Sequence, residues 1–264
     1  MALIELQNED LINLQTKETI ISNINLSVDK GEFILLTGIN GVGKSTLFKA
    51  LLDFQGNNEE RYAELKNGIY LFCNSPNKKD LNTKVINITQ DDYISKPLTR
   101  VEKALKEAIP ISIKDKELYF KNWLEKYKPL ISDDKKKNIL KKRIISLSGG
   151  EKKYIAILQG LIRCEDPDVK LALIDEPINN LDAKHIIHLS DLCSRIRYFK
   201  PDFSIMFITH CHAFPKIDKA YEINNEHLNQ IEYQTHNCFG EYDVDGFYQK
   251  SMNPKNQIDN SLIQ

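Results

Sequence analysis

No aromatic residue and no histidine occurs in the first 32 positions, and the whole chain carries a single tryptophan, Trp123. Nowhere does an apolar run approach the roughly 20 residues that a membrane helix needs. The longest apolar runs, 33–36, 171–174 and 205–208, are strand-length, so a membrane role would require separate partner chains. The N-terminus MALIELQNED carries acids and lacks both a basic stretch and a long apolar core, so it does not read as a secretory signal. Cysteines are few and unpaired in pattern: Cys73, Cys164, Cys193, Cys211 and Cys238 are scattered, odd in number and without a CxxC pair. That fits free thiols in a reducing compartment better than a disulfide framework. A surplus of charge is missing too, with 36 Lys and Arg against 37 Asp and Glu. Dedicated electrostatic nucleic-acid binders carry a basic excess, so this balance argues against one while leaving room for a local basic patch. Metal-ligand clusters are sparse. In His210-Cys211-His212 adjacent side chains on a strand end point in different directions. His185 and His188 read as surface or half-buried helix positions.

What remains is an ordinary globular composition, 41% hydrophobic and 28% charged over 264 residues, enough for one large domain or two small ones at roughly 150 residues each. Alternating apolar residues over 3–14 and 20–28 predict half-buried strands. The continuous apolar run at 33–36 predicts a strand buried on both faces. A glycine-rich loop and a helix over 44–52 follow. Residues 56–68 read as polar loop, then strands over 69–72 and 85–88. From 98 to 142 the character changes: aromatic and aliphatic residues recur at helical spacing, with a turn at Lys128-Pro129, and predict a helical subdomain. Its lysines read as a solvated helix surface, and the Lys-rich 114–143 stretch, with 11 basic and 5 acidic residues, keeps a nucleic-acid partner possible. A helix over 150–163, a strand over 170–174, a helix over 183–198, a strand over 204–208 and short further strands complete the order. The last residues read as a loose tail.

Three motifs carry chemistry. Gly38-Ile39-Asn40-Gly41-Val42-Gly43-Lys44-Ser45-Thr46 fits G-x-x-x-x-G-K-[ST] between a buried strand and a helix. Glycines let backbone N–H groups approach phosphate oxygens, and the helix start adds unsatisfied donors and a positive dipole end. Lys44 supplies a charge for the β- and γ-phosphates and Ser45 a hydroxyl for Mg²⁺. Second, the apolar strand Leu171-Ala172-Leu173-Ile174 ends in Asp175-Glu176. Asp175 can hold Mg²⁺, and Glu176 can polarise an attacking water as general base. Third, Leu147-Ser148-Gly149-Gly150-Glu151 opens another helix, a second anion-binding geometry. Two phosphate-binding helix starts beside one complete phosphate loop suggest that the second serves a nucleotide on another subunit.

Together these residues resemble the ATP-binding cassette (ABC) ATPase family over about residues 3–230. GINGVGKST looks like its phosphate loop (Walker A), LSGGE its signature, and LALIDE its Walker B strand with the catalytic Glu. Asn180-Leu181-Asp182 is similar to its D-loop, and Thr209-His210 to its switch histidine. The motifs stand in family order. On the order of a hundred residues separate Lys44 from Ser148, as in transporter-type cassettes. Gln90, after the strand over 85–88, fits the family's Mg²⁺- and water-sensing glutamine, with Asn74 as the alternative.

The resemblance implies an α/β P-loop fold with a mixed β-sheet core, an antiparallel N-terminal β part and an inserted α-helical subdomain. One ABC domain would span 1–240: core and β part over 1–97 and 143–240, helical subdomain over 98–142, with 241–264 as C-terminal tail. It also implies ATP and Mg²⁺ as cofactors. Gly38, Asn40, Gly41, Val42, Gly43, Lys44, Ser45 and Thr46 would hold the nucleotide, with Ser148, Gly149, Gly150 and Asp182 reaching it from a second ABC subunit in a head-to-tail dimer. Glu176, His210 and Gln90 would be catalytic; Ser45, Gln90 and Asp175 would hold the metal. The implied role is the ATP-hydrolysing subunit of a transporter, cytoplasmic and peripheral at the inner face of a membrane, driving integral-membrane partner chains. The alternative is a soluble ABC ATPase with a regulatory, assembly or nucleic-acid-linked role. The family usually stacks an aromatic on adenine from upstream of the phosphate loop, and here the residues around Gln15 to Lys17 are polar.

Overall fold

The structure is a computed structural model and describes residues 2–53, 63–66, 85–88, 98–131, 139–177, 181, 183–209 and 217–233. Among the described residues nine strands form one sheet: β1 (Ala2–Asn13), β2 (Thr19–Asp29), β3 (Phe33–Gly38), β4 (Ala63–Leu65), β5 (Val85–Ile88), β6 (Leu171–Asp175), β7 (Ser204–Ile208), β8 (Lys219–Asn224) and β9 (His227–Ile231). The helices are α1 (Lys44–Asp53), α2 (Val101–Glu107), α3 (Lys116–Ile131), α4 (Gly149–Arg163) and α5 (Ala183–Phe199). The sheet order is β4-β1-β2-β9-β8-β3-β7-β6-β5.

The continuous apolar runs behave as their composition requires. In β3, Phe33 and Leu35 face one core while Ile34 and Leu36 face the other. β6 and β7 divide in the same way, Ala172, Ile174, Ile205 and Phe207 to one side and Leu171, Leu173, Met206 and Ile208 to the other. Side chains alternate across a strand, so a strand covered on both faces must be apolar at every position. The first core lies under α2, α3, α4 and α5; the second joins β1 and β2 to Leu47, Phe48 and Leu51 of α1. β8, β3, β7, β6 and β5 are mutually parallel, whereas β1 pairs antiparallel with β2 and β4, and β8 with β9.

Two contacts fix the frame around the site. Gly160 of α4 sits where an added Cβ would overlap Ile88 Cδ1 and Cγ1, so this glycine lets α4 lie close on β5. At the other end of the sheet the Arg197 guanidinium lies 4.1 Å from the Phe33 ring centroid. Its Nη2 donates to Asp218 Oδ2 at 2.6 Å, and the same oxygen accepts the Phe33 N–H at 2.7 Å. The C-terminal end of α5 is thereby pinned to the start of β3.

Two expectations are corrected. The polar stretch over 56–68 contains β4, whose pairing with β1 (Leu11 with Leu65, Asn13 with Ala63) rests on backbone groups that any side chain supplies. Lys128-Pro129 does not end a helix: α3 runs on to Ile131. Proline breaks a helix by removing an N–H and crowding the carbonyl four residues back, and at Pro129 only the last turn is affected. The expected strand over 69–72, the tail 241–264, the His210-Cys211-His212 triplet, and Cys73, Cys211 and Cys238 lie outside the described residues. Cys164 and Cys193 are free thiols buried in the first core, where burial raises both, Cys193 to about 12. At that value they stay protonated and inert. His188 sits beside Tyr154, ring centroids 6.5 Å apart, a packing role. Among the described residues no helix is long and apolar enough to cross a membrane.

Candidate nucleotide site

Because β3, β7 and β6 are parallel neighbours, their C-terminal ends open on one edge of the sheet, the place where ligands bind in open α/β sheets. The register makes this concrete. Ile208 of β7 lies between Leu36 of β3 and Asp175 of β6. The Thr209 N–H donates to the Leu36 carbonyl at 3.2 Å, and the Glu176 N–H to the Ile208 carbonyl at 2.9 Å. The phosphate loop leaves β3 two residues after Leu36, so sheet geometry alone brings the loop and the two acids to adjacent strand ends.

In the loop, Gly38, Gly41 and Gly43 all have positive φ, at 140°, 83° and 108°, a conformation that side chains rarely tolerate. Gly43 is constrained twice, since an added Cβ would also lie 2.8 Å from Ile20 Cγ2. The helical ladder begins with the Leu47 N–H donating to the Gly43 carbonyl at 2.8 Å. The N–H groups of Lys44, Ser45 and Thr46 therefore precede the ladder and point out of the helix start toward the loop. The Lys44 side chain is 6% exposed and folds back over the loop, donating to the carbonyls of Gly38 at 2.7 Å and Ile39 at 2.9 Å. Burial pulls its ammonium below the ordinary lysine value, while the negative charges of Glu176 and Asp175 push it back up.

Glu176 is 7% exposed and adopts φ 48°, the left-handed region. A non-glycine residue held there stores strain, typical of positions where function dictates the backbone. Burial raises its carboxyl above the ordinary value, Lys44 and Lys153 oppose the rise, and Asp175 adds to it. Lys153 stands in the first turns of α4, so the start of α4 and the end of β6 share one electrostatic neighbourhood. Asp175 Oδ1 is buried and has no hydrogen-bond partner among the described residues. A buried, unpartnered carboxylate oxygen next to a phosphate loop suits a hard dication, and the Ser45 hydroxyl is exposed in the first turn of α1. One carboxylate and one hydroxyl, with phosphate oxygens and waters to complete six positions, is a donor set that Mg²⁺ accepts. ATP fits the loop on the same grounds: open space in front of Gly41 and one buried lysine.

α4 begins with a capping box. Ser148 Oγ accepts the Glu151 N–H at 3.1 Å, and Glu151 Oε2 accepts the Ser148 N–H at 2.9 Å. Ser148 and Gly149 are exposed, and an added Cβ on Gly149 meets nothing within 4 Å. Among the described residues nothing crowds this helix start. Gln90, its alternative Asn74, Asn180, Asp182 and His210 lie outside the described residues; β5 ends two residues before Gln90 and β7 two residues before His210. One contact was missed by the motif reading: Lys142 Nζ lies 2.7 Å from Glu151 Oε1. The S-x-x-E spacing of Ser148 and Glu151 was the available signal for the capping box, but nothing in sequence ties Lys142 to it. In the helical region, among the described residues, Lys106 pairs with Glu102 and Glu117, and Lys126 with Glu165.

Comparison with known proteins agrees with these motifs. Residues 21–179 match a family model described as ABC transporter. The spermidine/putrescine import ATP-binding protein PotA of Thermotoga maritima is 28% identical over 218 residues, covering 80% of this chain and 54% of that protein. The chain thus spans about half the length of that relative. The putative hemin import ATP-binding protein HrtA of Staphylococcus haemolyticus is 29% identical over 214 residues, covering 81% of this chain and 92% of that one. Among solved structures, cbiO1 from Clostridium perfringens, part of the ABC transporter complex cbiONQ, superposes with a TM-score of 0.63 at 20% identity, covering 86% of this chain and 87% of that chain. At that identity the likeness is one of fold.

Proposed function

This chain belongs to the ABC transporter family, and from that premise we propose that it binds and hydrolyses ATP to energise transport through separate membrane-spanning chains. The observation that carries the proposal is the convergence of Lys44, Asp175 and Glu176 on one edge of the parallel sheet. Lys44 and the N–H groups at the start of α1 would hold the β- and γ-phosphates. Ser45 and Asp175 would hold Mg²⁺, with Gln90 as a further ligand; the ion, when bound, supplies charge neutralisation at the phosphates. Glu176 would accept the proton of the attacking water. His210 would contact the γ-phosphate, and Asp182 would approach from the partner subunit.

Two copies would pair head to tail, Ser148, Gly149 and Gly150 of each facing the nucleotide on the other. Binding would close the dimer and hydrolysis reopen it, passing that motion to the membrane chains. The exposed Ser148 and Gly149 support this reading, since they leave the start of α4 open to a ligand. Relatives with import in their names weigh toward uptake rather than release. Purification from membranes tests the whole proposal: the chain should co-purify with an integral-membrane protein and hydrolyse ATP in that complex. Recovery without a membrane chain, together with RNA- or DNA-stimulated ATPase activity, would favour the non-transport alternative.

Base recognition is expected to be weak. The turn joining β1 and β2 is closed by backbone bonds from Lys17 to Asn13 and from Asn13 to Glu18. It leads into Ile20, which touches Gly43, so the turn lies beside the phosphate loop. Gln15, Thr16 and Lys17 are exposed there, and none offers a ring to stack on adenine, an interaction worth about 1 kcal/mol. Thr16→Tyr should tighten ATP binding by about fivefold, measured by fluorescence titration with a labelled nucleotide. Equal affinities would show that the base is held elsewhere.

A further inference from the structure

Glu151 poses an electrostatic problem at the start of α4. A carboxylate in the first turn stabilises an isolated helix. Here the same helix start is proposed above to receive a triphosphate, and a negative charge three residues in repels it. The contact at Lys142 resolves this. Lys142 Nζ sits 2.7 Å from Glu151 Oε1, with the two side chains 32% and 21% exposed. The other carboxylate oxygen, Oε2, holds the Ser148 N–H. Lys142 thus both opposes the Glu151 charge and touches the side chain that holds the Ser148 N–H.

Lys142 is itself held firmly. Its carbonyl accepts the Val101 N–H at 3.0 Å, its own N–H donates to Ile139, and the next residue, Arg143, forms an antiparallel bridge with Arg100. Ile144 and Leu147, 3% and 5% exposed, bury the chain on the way to Ser148. The Ser148 oxygen accepts the Glu151 N–H, which leaves its O–H able to donate outward to a phosphate oxygen.

We infer that Lys142 is a positioning residue for nucleotide turnover: it neutralises and orients Glu151, and through Glu151 it presents Ser148 to the nucleotide of the opposing subunit. The inference rests on the head-to-tail reading given above. Lys142→Met should raise the ATP concentration for half-maximal turnover by about three- to tenfold, with kcat changed less than about twofold, and more at low than at high ionic strength. Lys142→Arg should restore the wild-type value. Glutamine caps a helix as glutamate does but without charge, so Glu151→Gln should remove the need for Lys142. In that background Lys142→Met should cause no further rise.

Steady-state ATPase titrations of the purified full chain, with thermal melts to verify folding, decide the matter. Absence of any rise in Lys142→Met, or a rise of the same size in the Glu151→Gln background, overturns the inference. Gly149→Asp separates this from failure of the underlying reading. If Gly149→Asp leaves turnover unchanged, α4 does not face a nucleotide. If it abolishes turnover while Lys142→Met behaves as wild type, only the role of Lys142 is lost.

Discussion

Glu176→Gln is expected to reduce ATP turnover by about a hundred- to ten-thousandfold, the range of a lost general base, while nucleotide binding survives and an ATP-bound dimer accumulates. The substitution keeps the shape of the side chain and the Glu176 N–H bond to Ile208. What disappears is the ability to take a proton from water. The wild-type pH profile supplies a companion readout. Burial raises Glu176 above its ordinary value of 4.5, and a base works only when deprotonated. Turnover should therefore fall as pH drops through the raised value, placing the acid limb above 4.5, with Lys44 and Lys153 limiting how far. In Glu176→Gln the residual rate should lack that limb. Single-turnover kinetics with size-exclusion chromatography in ATP and Mg²⁺ measure both effects. An unaltered rate would remove Glu176 from the chemistry and leave its left-handed backbone without a functional account.

Much of this arrangement was legible in residue order. Strands buried on both faces cannot hide: 33–36, 171–174 and 205–208 are apolar at every position, and all three became central strands. The phosphate loop was legible because its glycines are forced, as the positive φ at Gly38, Gly41 and Gly43 records. The acids after β6 were legible only in combination, since a strand ending in Asp-Glu is common and gains meaning beside a phosphate loop. Elements held by backbone alone escaped the reading. β4 is three residues long in a polar stretch, and its pairing with β1 leaves no trace in side-chain pattern. The helix through Pro129 escaped for the opposite reason, a strong local signal outweighed near a helix end. The Lys142–Glu151 pair spans nine residues across a 3₁₀ turn, a separation with no periodic signature.

Lys44→Met should weaken ATP binding by about a hundredfold or more, the order expected when buried, charge-assisted hydrogen bonds to phosphate are lost. Methionine roughly matches the length of lysine and suits a buried site, so the loop should keep its course. Folding gains and loses in the same place. The ammonium no longer has to be desolvated, the cost that pulls its pKa down, but the carbonyls of Gly38 and Ile39 lose their donor. The melting temperature should therefore move by only a few degrees, and the binding loss cannot be assigned to unfolding. A second consequence has a fixed sign. Lys44 is the leading charge that holds the Glu176 carboxyl down. Without it the Glu176 value rises further, and the acid limb of any residual turnover moves to higher pH. Isothermal titration with ATP and Mg²⁺, alongside a pH series at saturating nucleotide, tests both. If affinity falls less than about threefold, the backbone N–H groups at the start of α1 carry the phosphates by themselves. Lys44 would then act as a pin closing the loop onto its own carbonyls.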